Sequence, residues 1–227
     1  MDWPLLMHYL PEIIKGSLLT LSLVSTSLTI GFCLALGFSL SIVSEQPVLK
    51  KLVQSYIFII RGTPLLVQFF LIYYGFGQLA WMQQSFLWIF FKEPFCCAML
   101  TLALNTAAYT TELFVGAIRA VPSTEIEACR AFGMSWGLSL RRITMPYAWR
   151  LVLPAYSNEV VMLVKASSLA STITLLELLG ITQQIINQTF LTLEFYTLAG
   201  IIYLTINSVV LGLFKQLERR FRVGNNT

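Results

Sequence analysis

The chain has 227 residues, of which 56% are hydrophobic and 11% charged, and its formal net charge is +4. A soluble domain carries about 25% charged residues, so this composition excludes an ordinary soluble domain and predicts an all-α integral membrane protein. The basic residues flank apolar segments instead of forming one continuous face, which excludes a nucleic-acid-binding surface.

Five apolar segments follow one another along the chain, and each is long enough to cross about 30 Å of hydrocarbon. Residues 1–16 mix aromatic residues, prolines and a few charges, which predicts a short segment lying at the lipid headgroups. The predicted transmembrane domain covers 17–214, with spans at 17–43, 55–81, 94–118, 154–181 and 195–214, a loop at 119–153 and a tail at 215–227. The first span is too long for a cleavable signal and is expected to remain as an anchor.

The basic residues orient these five spans. Lys15 and Lys92 lie on one side, and most other cations are predicted on the opposite side: Lys50, Lys51, Arg119, Arg130, Arg141, Arg142, Arg150, Lys215, Arg219, Arg220 and Arg222. Because basic residues are retained in the cytoplasm, the N-terminus is predicted outside and the C-terminus inside. The 119–153 loop is therefore expected to face the cytoplasm.

The 119–153 loop has the pattern of two short helices joined by a turn. Thr124 and Glu127 have the spacing of a capping box that starts the first helix. Gly133 is placed to end it in the left-handed conformation, Ser135 to cap the second helix, and Pro146 to mark the second helix's end. The surface of such an amphipathic loop suits docking of another protein, or contact between its arginines and anionic headgroups.

The second predicted span contains an arginine beside two helix-breaking residues. Arg61 lies roughly 9 Å inside the span, next to Gly62 and Pro64. Broken backbone at that depth is tolerated mainly where it lines a cavity. Arg61 is therefore a candidate for the wall of a polar path, or for a side chain that reaches back to the interface.

Polar residues also follow one face of the third span. Asn105, Tyr109 and Glu112 recur at helical spacing, and such a face usually points toward a cavity or a partner. Glu112 is a candidate contact for a cationic ligand, or a structural partner of Arg61 or Arg119.

The fourth span carries its own polar candidates. Asn158 and Lys165 are seven residues apart and can line the path or join neighbouring helices by hydrogen bonds. Glu177 is a second intramembrane acid and a candidate by default.

The chain has no sequence pattern for catalysis or metal binding. Lys165 is not preceded by a phosphate-binding glycine loop, so the chain is not expected to hydrolyse ATP. The four cysteines lack C-x-x-C spacing and His8 is the single histidine, so neither a metal site nor a catalytic site is expected.

The loop resembles the EAA loop of the membrane subunits of ATP-binding-cassette (ABC) importers. The residues that carry this resemblance are Glu127, Ala128, Cys129, Gly133, Ile143 and Pro146, with Cys129 and Met145 as conservative departures. Three further stretches resemble the amino-acid importers of this family: Arg61 to Gln68, Ala107 to Glu112, and Lys165 to Leu169, the last departing at Ala166 and Ser167. The runs FLIYYG, NTAAYTTELF, YSNEVV and AGIIYL look most like arginine-importer permeases.

The resemblance implies a type I ABC importer transmembrane architecture in the bacterial inner membrane. It further implies docking of ABC ATPase subunits on the loop, with ATP and Mg held by those subunits and no cofactor on this chain. A second permease subunit (a copy or a homologue), a periplasmic solute-binding protein and membrane lipid complete the expected partners. The candidate path residues are Arg61, Thr63, Gln68, Asn105, Tyr109, Glu112, Asn158, Lys165, Ser168 and Glu177.

The resulting hypothesis is a permease subunit that imports polar or basic amino acids, with arginine as the first choice. Histidine, lysine, ornithine and glutamine remain alternative substrates. A secondary transporter is a further alternative. Such a protein would show internal repeats or a self-contained set of intramembrane charges, and the sequence shows neither. A non-transporting scaffold would need neither the polar stripe nor the broken helix.

Overall fold

The computed structural model describes residues 3–44 and 46–221, and this part of the chain is helical with no β-strand. The prediction of an all-α protein is confirmed. Arg222 with the rest of the predicted tail beyond 221, and residues 1–2 of the N-terminal segment, lie outside the described residues. The helices are α1 Trp3–Val43, α2 Pro47–Gly62, α3 Leu65–Phe70, α4 Ala80–Gln83, α5 Trp88–Phe91, α6 Pro94–Arg119, α7 Ser123–Ala131, α8 Trp136–Ser139, α9 Met145–Ala166, α10 Leu178–Thr189 and α11 Thr192–Phe221.

The predicted N-terminal segment and the first span form one helix. Helix α1 has 41 residues, which corresponds to about 60 Å, twice the thickness of the hydrocarbon layer. Its early turns bury Leu6 and Ile13 in a cluster with Leu178 and Phe195, from α10 and α11. The segment therefore packs on protein, and its position at the headgroups stays a prediction.

Helix α6 is the centre of the bundle and packs along α1 and α9. It buries small and apolar residues on several sides, among them Ala98, Leu102 and Phe114. Helix α1 approaches α6 closely at Gly31, where a Cβ atom would lie 2.3 Å from Thr106 Cγ2 and 2.8 Å from the Ala103 carbonyl oxygen. Small residues permit this kind of close contact between membrane helices.

The second span is broken where the sequence places Gly62 and Pro64. Helix α2 ends at Gly62, Thr63 and Pro64 are extended, and the continuation through α3 and a wide π-helical turn at Leu71–Gly75 is bent by 106°. Helix α2 begins at Pro47, earlier than the predicted 55, because a proline suits the first turn of a helix. Its buried Val53 and Ile57, four residues apart, then pack against Ile42 and Val115.

The fourth span is also broken, which the sequence did not predict. Helix α9 continues as a 3₁₀ helix at Ser167–Ile173, Thr174 adopts a left-handed conformation with φ 70°, and α10 follows at an angle of 50°. Residues 154–181 are therefore not one straight helix, and Glu177 lies in the break. Helix α11 is continuous through the predicted boundary at 214 as far as Phe221.

Within the described residues, two single helices are long and apolar enough to cross a membrane, α1 and α11. Two more crossings result if Pro47–Gly62 with Leu65–Gly75, and Trp136–Ile173 with Leu178–Thr189, each count as one bent span. Helix α6, with 26 residues, is long enough but carries asparagine, tyrosine and several threonines, which it mostly buries against its neighbours. The count of five spans stays a prediction.

Replacement of Gly31 by valine should destabilise the bundle, because the new side chain would overlap α6. Overpacking of this kind costs about 2 kcal/mol. Thermal unfolding of the purified protein in detergent measures the effect as a lower Tm. The matched control is Gly37→Val, since Gly37 lies on the same helix and has open space around it. Equal Tm values for both variants would contradict close packing at Gly31.

Candidate functional site

A polar cluster forms where the break of the second span faces α6. The guanidinium of Arg61 lies 3.5 Å from the carboxylate of Glu112, and its centre lies 5.1 Å from the ring centroid of Tyr109. The Arg61 and Glu112 side chains are 43% and 47% exposed in the isolated chain. Of the two structural partners that the sequence offered for Glu112, Arg61 and Arg119, the structure pairs it with Arg61, and Tyr109 lies beside the pair.

Gln68 satisfies the broken backbone beside this cluster. Its amide nitrogen donates to the carbonyl oxygen of Ile60 at 2.7 Å, to the Thr63 carbonyl at 3.2 Å and to the Thr63 hydroxyl at 2.9 Å. Its amide oxygen accepts a bond from Asn105 on α6 at 3.3 Å. The Gln68 side chain therefore closes the end of α2 and joins it to the polar face of α6.

A cavity of about 230 Å³ lies between these elements and α9. Its lining consists of Thr63, Leu65, Asn105, Tyr109, Glu159, Met162, Leu163 and Ala166. A second, more open cavity of about 500 Å³ is lined by Gln54, Ile57, Phe58, Arg61, Gly62, Tyr109 and Glu112. Tyr109 is the lining residue that the two cavities share.

Sequence reasoning missed Glu159 as a member of this site. It lies next to Asn158 on α9, and it is the half-buried Glu159, not Asn158, that lines the smaller cavity. The available signal was the general rule that an acid within a membrane span is a functional candidate.

Three further candidates lie apart from the cavity lining. Asn158 and Lys165 are exposed on α9, and the Ser168 hydroxyl donates to the carbonyl of Lys165 at 2.7 Å. Their place in a path stays a prediction.

Glu177 lies in a different environment from the other candidates. Its side chain is fully buried, and one carboxylate oxygen accepts the backbone N–H of Gly180 at 2.9 Å, which caps α10. The other oxygen accepts bonds from Tyr203 at 2.8 Å and Thr20 at 3.2 Å. These contacts join α1, α10 and α11 at the break, and they are the contacts of a structural cap.

The loop between α6 and α9 is the helix–turn–helix that the sequence predicts, with corrections in its details. Gly133 has φ +70° and ends α7 in a left-handed turn. The N–H of Gly133 donates to Arg130 O, and that of Met134 to Cys129 O, which is the Schellman pattern of helix ends.

The predicted capping box at Thr124 and Glu127 is wrong. Pro122 occupies the cap position and α7 begins at Ser123, without a capping side chain. With proline at the cap position, the helix begins two residues earlier than it would with Thr124 as its cap. Ser135 does precede α8, but its side chain makes no capping bond.

The prediction that Pro146 ends the second helix is also wrong. Helix α8 continues through a π-helical turn at Leu140–Thr144 directly into α9, which contains Pro146 in its first turn. In the wide turn Met145 donates to the carbonyl of Leu140. An α-helical turn there would bring the Pro146 ring against the carbonyl of Arg142, and the wider turn relieves that contact.

The loop presents large apolar side chains on its outer surface. Phe132 is 86% exposed and Trp136 57% exposed, whereas Cys129 is buried and cannot contribute to a docking surface. Glu127, Ala128 and Gly133 are also exposed, Ile143 is partly buried, and Pro146 is exposed at the start of α9.

Comparison with known proteins identifies relatives over nearly the whole chain. Residues 27–223 match the model of the family described as "Binding-protein-dependent transport system inner membrane component". The chain is 46% identical over 211 residues to the nopaline transport system permease protein NocM of Agrobacterium fabrum, covering 92% of this chain and 88% of that protein. It is 45% identical over 214 residues to the arginine ABC transporter permease protein ArtM of Escherichia coli K12, covering 94% and 96%.

Solved structures show the same arrangement of helices. An amino acid ABC transporter crystallised with histidines superposes with a TM-score of 0.86 at 32% identity, covering 97% of this chain and 99% of that chain. The inward-facing MetNI methionine ABC transporter gives a TM-score of 0.82 at 16% identity, covering 98% and 100%, and this likeness concerns the fold.

Replacement of Tyr203 by phenylalanine should lower the free energy of unfolding by about 2 kcal/mol, since it removes one hydrogen bond to the buried carboxyl group of Glu177. Chemical or thermal unfolding in detergent measures the loss. The control is Tyr196→Phe on the same helix, where the ring is 43% exposed. If Glu177 serves the transport path and not the fold, the two variants should be equally stable and Tyr203→Phe should alter the KM for substrate.

Proposed function

The chain belongs to the binding-protein-dependent transport system inner membrane component family, and we propose that it forms the translocation path for a cationic amino acid, in the first place L-arginine. It is an amino-acid permease subunit of an ABC importer, with the all-helical type I permease fold, and it resides in the bacterial inner membrane. Our proposal concerns the substrate, the path residues, the docking loop and the topology.

The polar cluster around Tyr109 is the observation that carries the substrate proposal. Glu112 lines one and Glu159 the other of the two cavities that share Tyr109, whose ring already packs against the guanidinium of Arg61. A cationic side chain of a substrate would find the same carboxylate and aromatic face. The relatives named for arginine and nopaline transport support this class of substrate.

Exposure of the Arg61–Glu112 pair supports a second permease subunit. Charged groups at membrane depth face protein or a water-filled cavity, because hydrocarbon does not solvate them. The exposed face of α2 and α6 therefore suits a path enclosed between this chain and a partner permease, either a copy of it or a homologue. A periplasmic binding protein would deliver the substrate to the outer end.

The loop from α7 to α8 is proposed to dock an ABC ATPase, which binds ATP and Mg. Continuity of α8 with α9 gives a mechanical reason for the coupling. From Trp136 to Glu159 the chain is helical throughout, a distance of about 35 Å. A shift of the docked loop would therefore reach the cavity lining through one rod, as rigid-body alternating access requires.

The proposed topology has five spans, with the N-terminus outside and the C-terminus in the cytoplasm. Its support is that Arg141 and Arg150 lie at the same end of the bundle as Lys215 and Arg219, around adjoining cavities. This end also carries the docking loop, and cations concentrate on the cytoplasmic side of membrane proteins.

Replacement of Phe132 by aspartate tests the docking loop. An aromatic anchor at the centre of an interface contributes 2 kcal/mol or more, so ATPase affinity should fall by about thirtyfold or more. Co-purification of the ATPase with tagged permease and binding-protein-stimulated ATP hydrolysis in proteoliposomes measure this. The control is Phe86→Asp, an equally exposed phenylalanine (82%) in the turn predicted on the other side. Normal association of Phe132→Asp with the ATPase would contradict docking at this loop.

Replacement of Glu112 by glutamine tests the path. Arginine uptake into proteoliposomes should fall at least tenfold, while the amount of assembled importer stays unchanged. The double variant Arg61→Gln/Glu112→Gln separates the two roles of the pair. If Glu112 contacts substrate, the double variant stays inactive; if it serves only to neutralise Arg61, the double variant recovers uptake. Competition by unlabelled lysine, ornithine, histidine and glutamine then ranks the alternative substrates.

A further inference from the structure

Two adjoining cavities lie at the end of the bundle where α9 begins and α11 ends. One measures about 500 Å³ and the other about 540 Å³, and Arg150 and Phe221 line both of them. The two together are called the recess below, and they share no lining residue with the cavities around Tyr109.

The first of these cavities is apolar. Phe32 and Leu36 of α1 line it together with Met145 and Trp149 of α9, and the ring centroids of Phe32 and Trp149 lie 5.6 Å apart. The remaining lining residues are Phe221 of α11, Arg141, Pro146 and Arg150. Such a lining suits a hydrocarbon chain.

The second cavity is positively charged. Arg150, Lys215 and Arg219 line it together with the single acid Glu218, which leaves two net positive charges. Within residues 3–44 and 46–221 the ion pair closer than 4 Å is that of Arg61 and Glu112, so no described carboxylate neutralises these three cations at that distance. Arginine and lysine in this arrangement favour a phosphate group.

In the topology proposed above, on which this inference rests, the recess lies at the depth of the lipid headgroups. The fourth and fifth predicted spans meet this end of the bundle at Pro154 and Phe214, and the three cations lie within about a turn or two of those residues. Basic pockets between transmembrane helices on the cytoplasmic side bind anionic lipid headgroups.

We propose that this recess binds one anionic phospholipid, with its phosphate between Arg150, Lys215 and Arg219 and an acyl chain against Phe32, Leu36 and Trp149. A soluble phosphate would use the charged cavity alone, whereas a lipid uses both, and their shared border at Arg150 favours the lipid. The bound lipid would join α1, α9 and α11 directly beside the docking loop.

The test is lipid retention by the assembled importer. The complex is reconstituted in nanodiscs that contain equal amounts of phosphatidylglycerol and phosphatidylcholine with the same acyl chains, and native mass spectrometry identifies the lipids that stay bound after release. Wild type should retain phosphatidylglycerol in preference to phosphatidylcholine. Each basic residue near the membrane contributes about fivefold to anionic-lipid affinity, so Arg150→Gln/Lys215→Gln/Arg219→Gln should reduce retention about a hundredfold.

The matched control removes the same charge from residues outside the recess. Lys50→Gln/Lys51→Gln/Arg220→Gln should retain phosphatidylglycerol as wild type does, although Arg220 directly follows Arg219. The variant Glu218→Gln should act in the opposite direction and raise retention several-fold, since it removes the one acid of the charged cavity. Leu36→Trp should lower retention by filling the apolar cavity, with the charges intact.

Three outcomes would overturn the proposal. They are equal binding of both lipids by wild type, loss of phosphatidylglycerol to the same extent in both triple variants, and unchanged retention in Leu36→Trp while the lining charges matter. The last result would indicate a phosphate site without an acyl-chain cavity. If the lining triple variant fails to assemble, Glu218→Gln and Leu36→Trp decide, because the expected changes have opposite signs.

Discussion

The constraint on which this structure depends is the need to satisfy backbone polar groups inside a bilayer, where water cannot do so. The bundle contains two broken helices, and a buried side chain bonds the free backbone groups at each. Gln68 donates to carbonyl oxygens at the end of α2, and Glu177 accepts an N–H at the start of α10. Both side chains also bond a neighbouring helix, to Asn105 and Tyr203 respectively. The side chains of Gln68 and Glu177 thus satisfy the free backbone groups at each break and also hold the break against a neighbouring helix.

The two breaks serve different ends in this arrangement. The first turns the chain so that Arg61 and Thr63 face the polar side of α6 and open the cavities around Tyr109. The second separates α10 from the long rod of α8 and α9, which remains continuous across Pro146. In the proposed function this rod moves as a unit with the loop from α7 to α8, while Glu177 keeps α10 joined to α1 and α11. Specific contacts therefore determine which parts of the bundle are rigid and which are bent.

The exposed charged and aromatic side chains agree with the proposal that the chain works with partner subunits. Arg61 and Glu112 are nearly half exposed in segments predicted to span the membrane, where lipid would not solvate them, and Phe132 and Trp136 are exposed at the turn of a polar loop. Each surface is unfavourable against its expected surroundings and favourable against another protein. An isolated subunit with these surfaces is incomplete, which agrees with the permease role of its relatives.

The sequence by itself determined the helical membrane class, the break at Gly62 and Pro64, the left-handed turn at Gly133 and the shared face of Asn105, Tyr109 and Glu112. All of these follow from local composition, helical period or the backbone preferences of glycine and proline. Tertiary structure alone decided that Glu159 lines the cavity, that Glu177 caps a break, and that α8 runs through Pro146 into α9. The first two features depend on contacts between residues far apart in the chain, such as Glu177 with Thr20 and Tyr203. The third depends on a π-helical turn at Leu140–Thr144 that accommodates Pro146, where a proline usually marks the end of a helix.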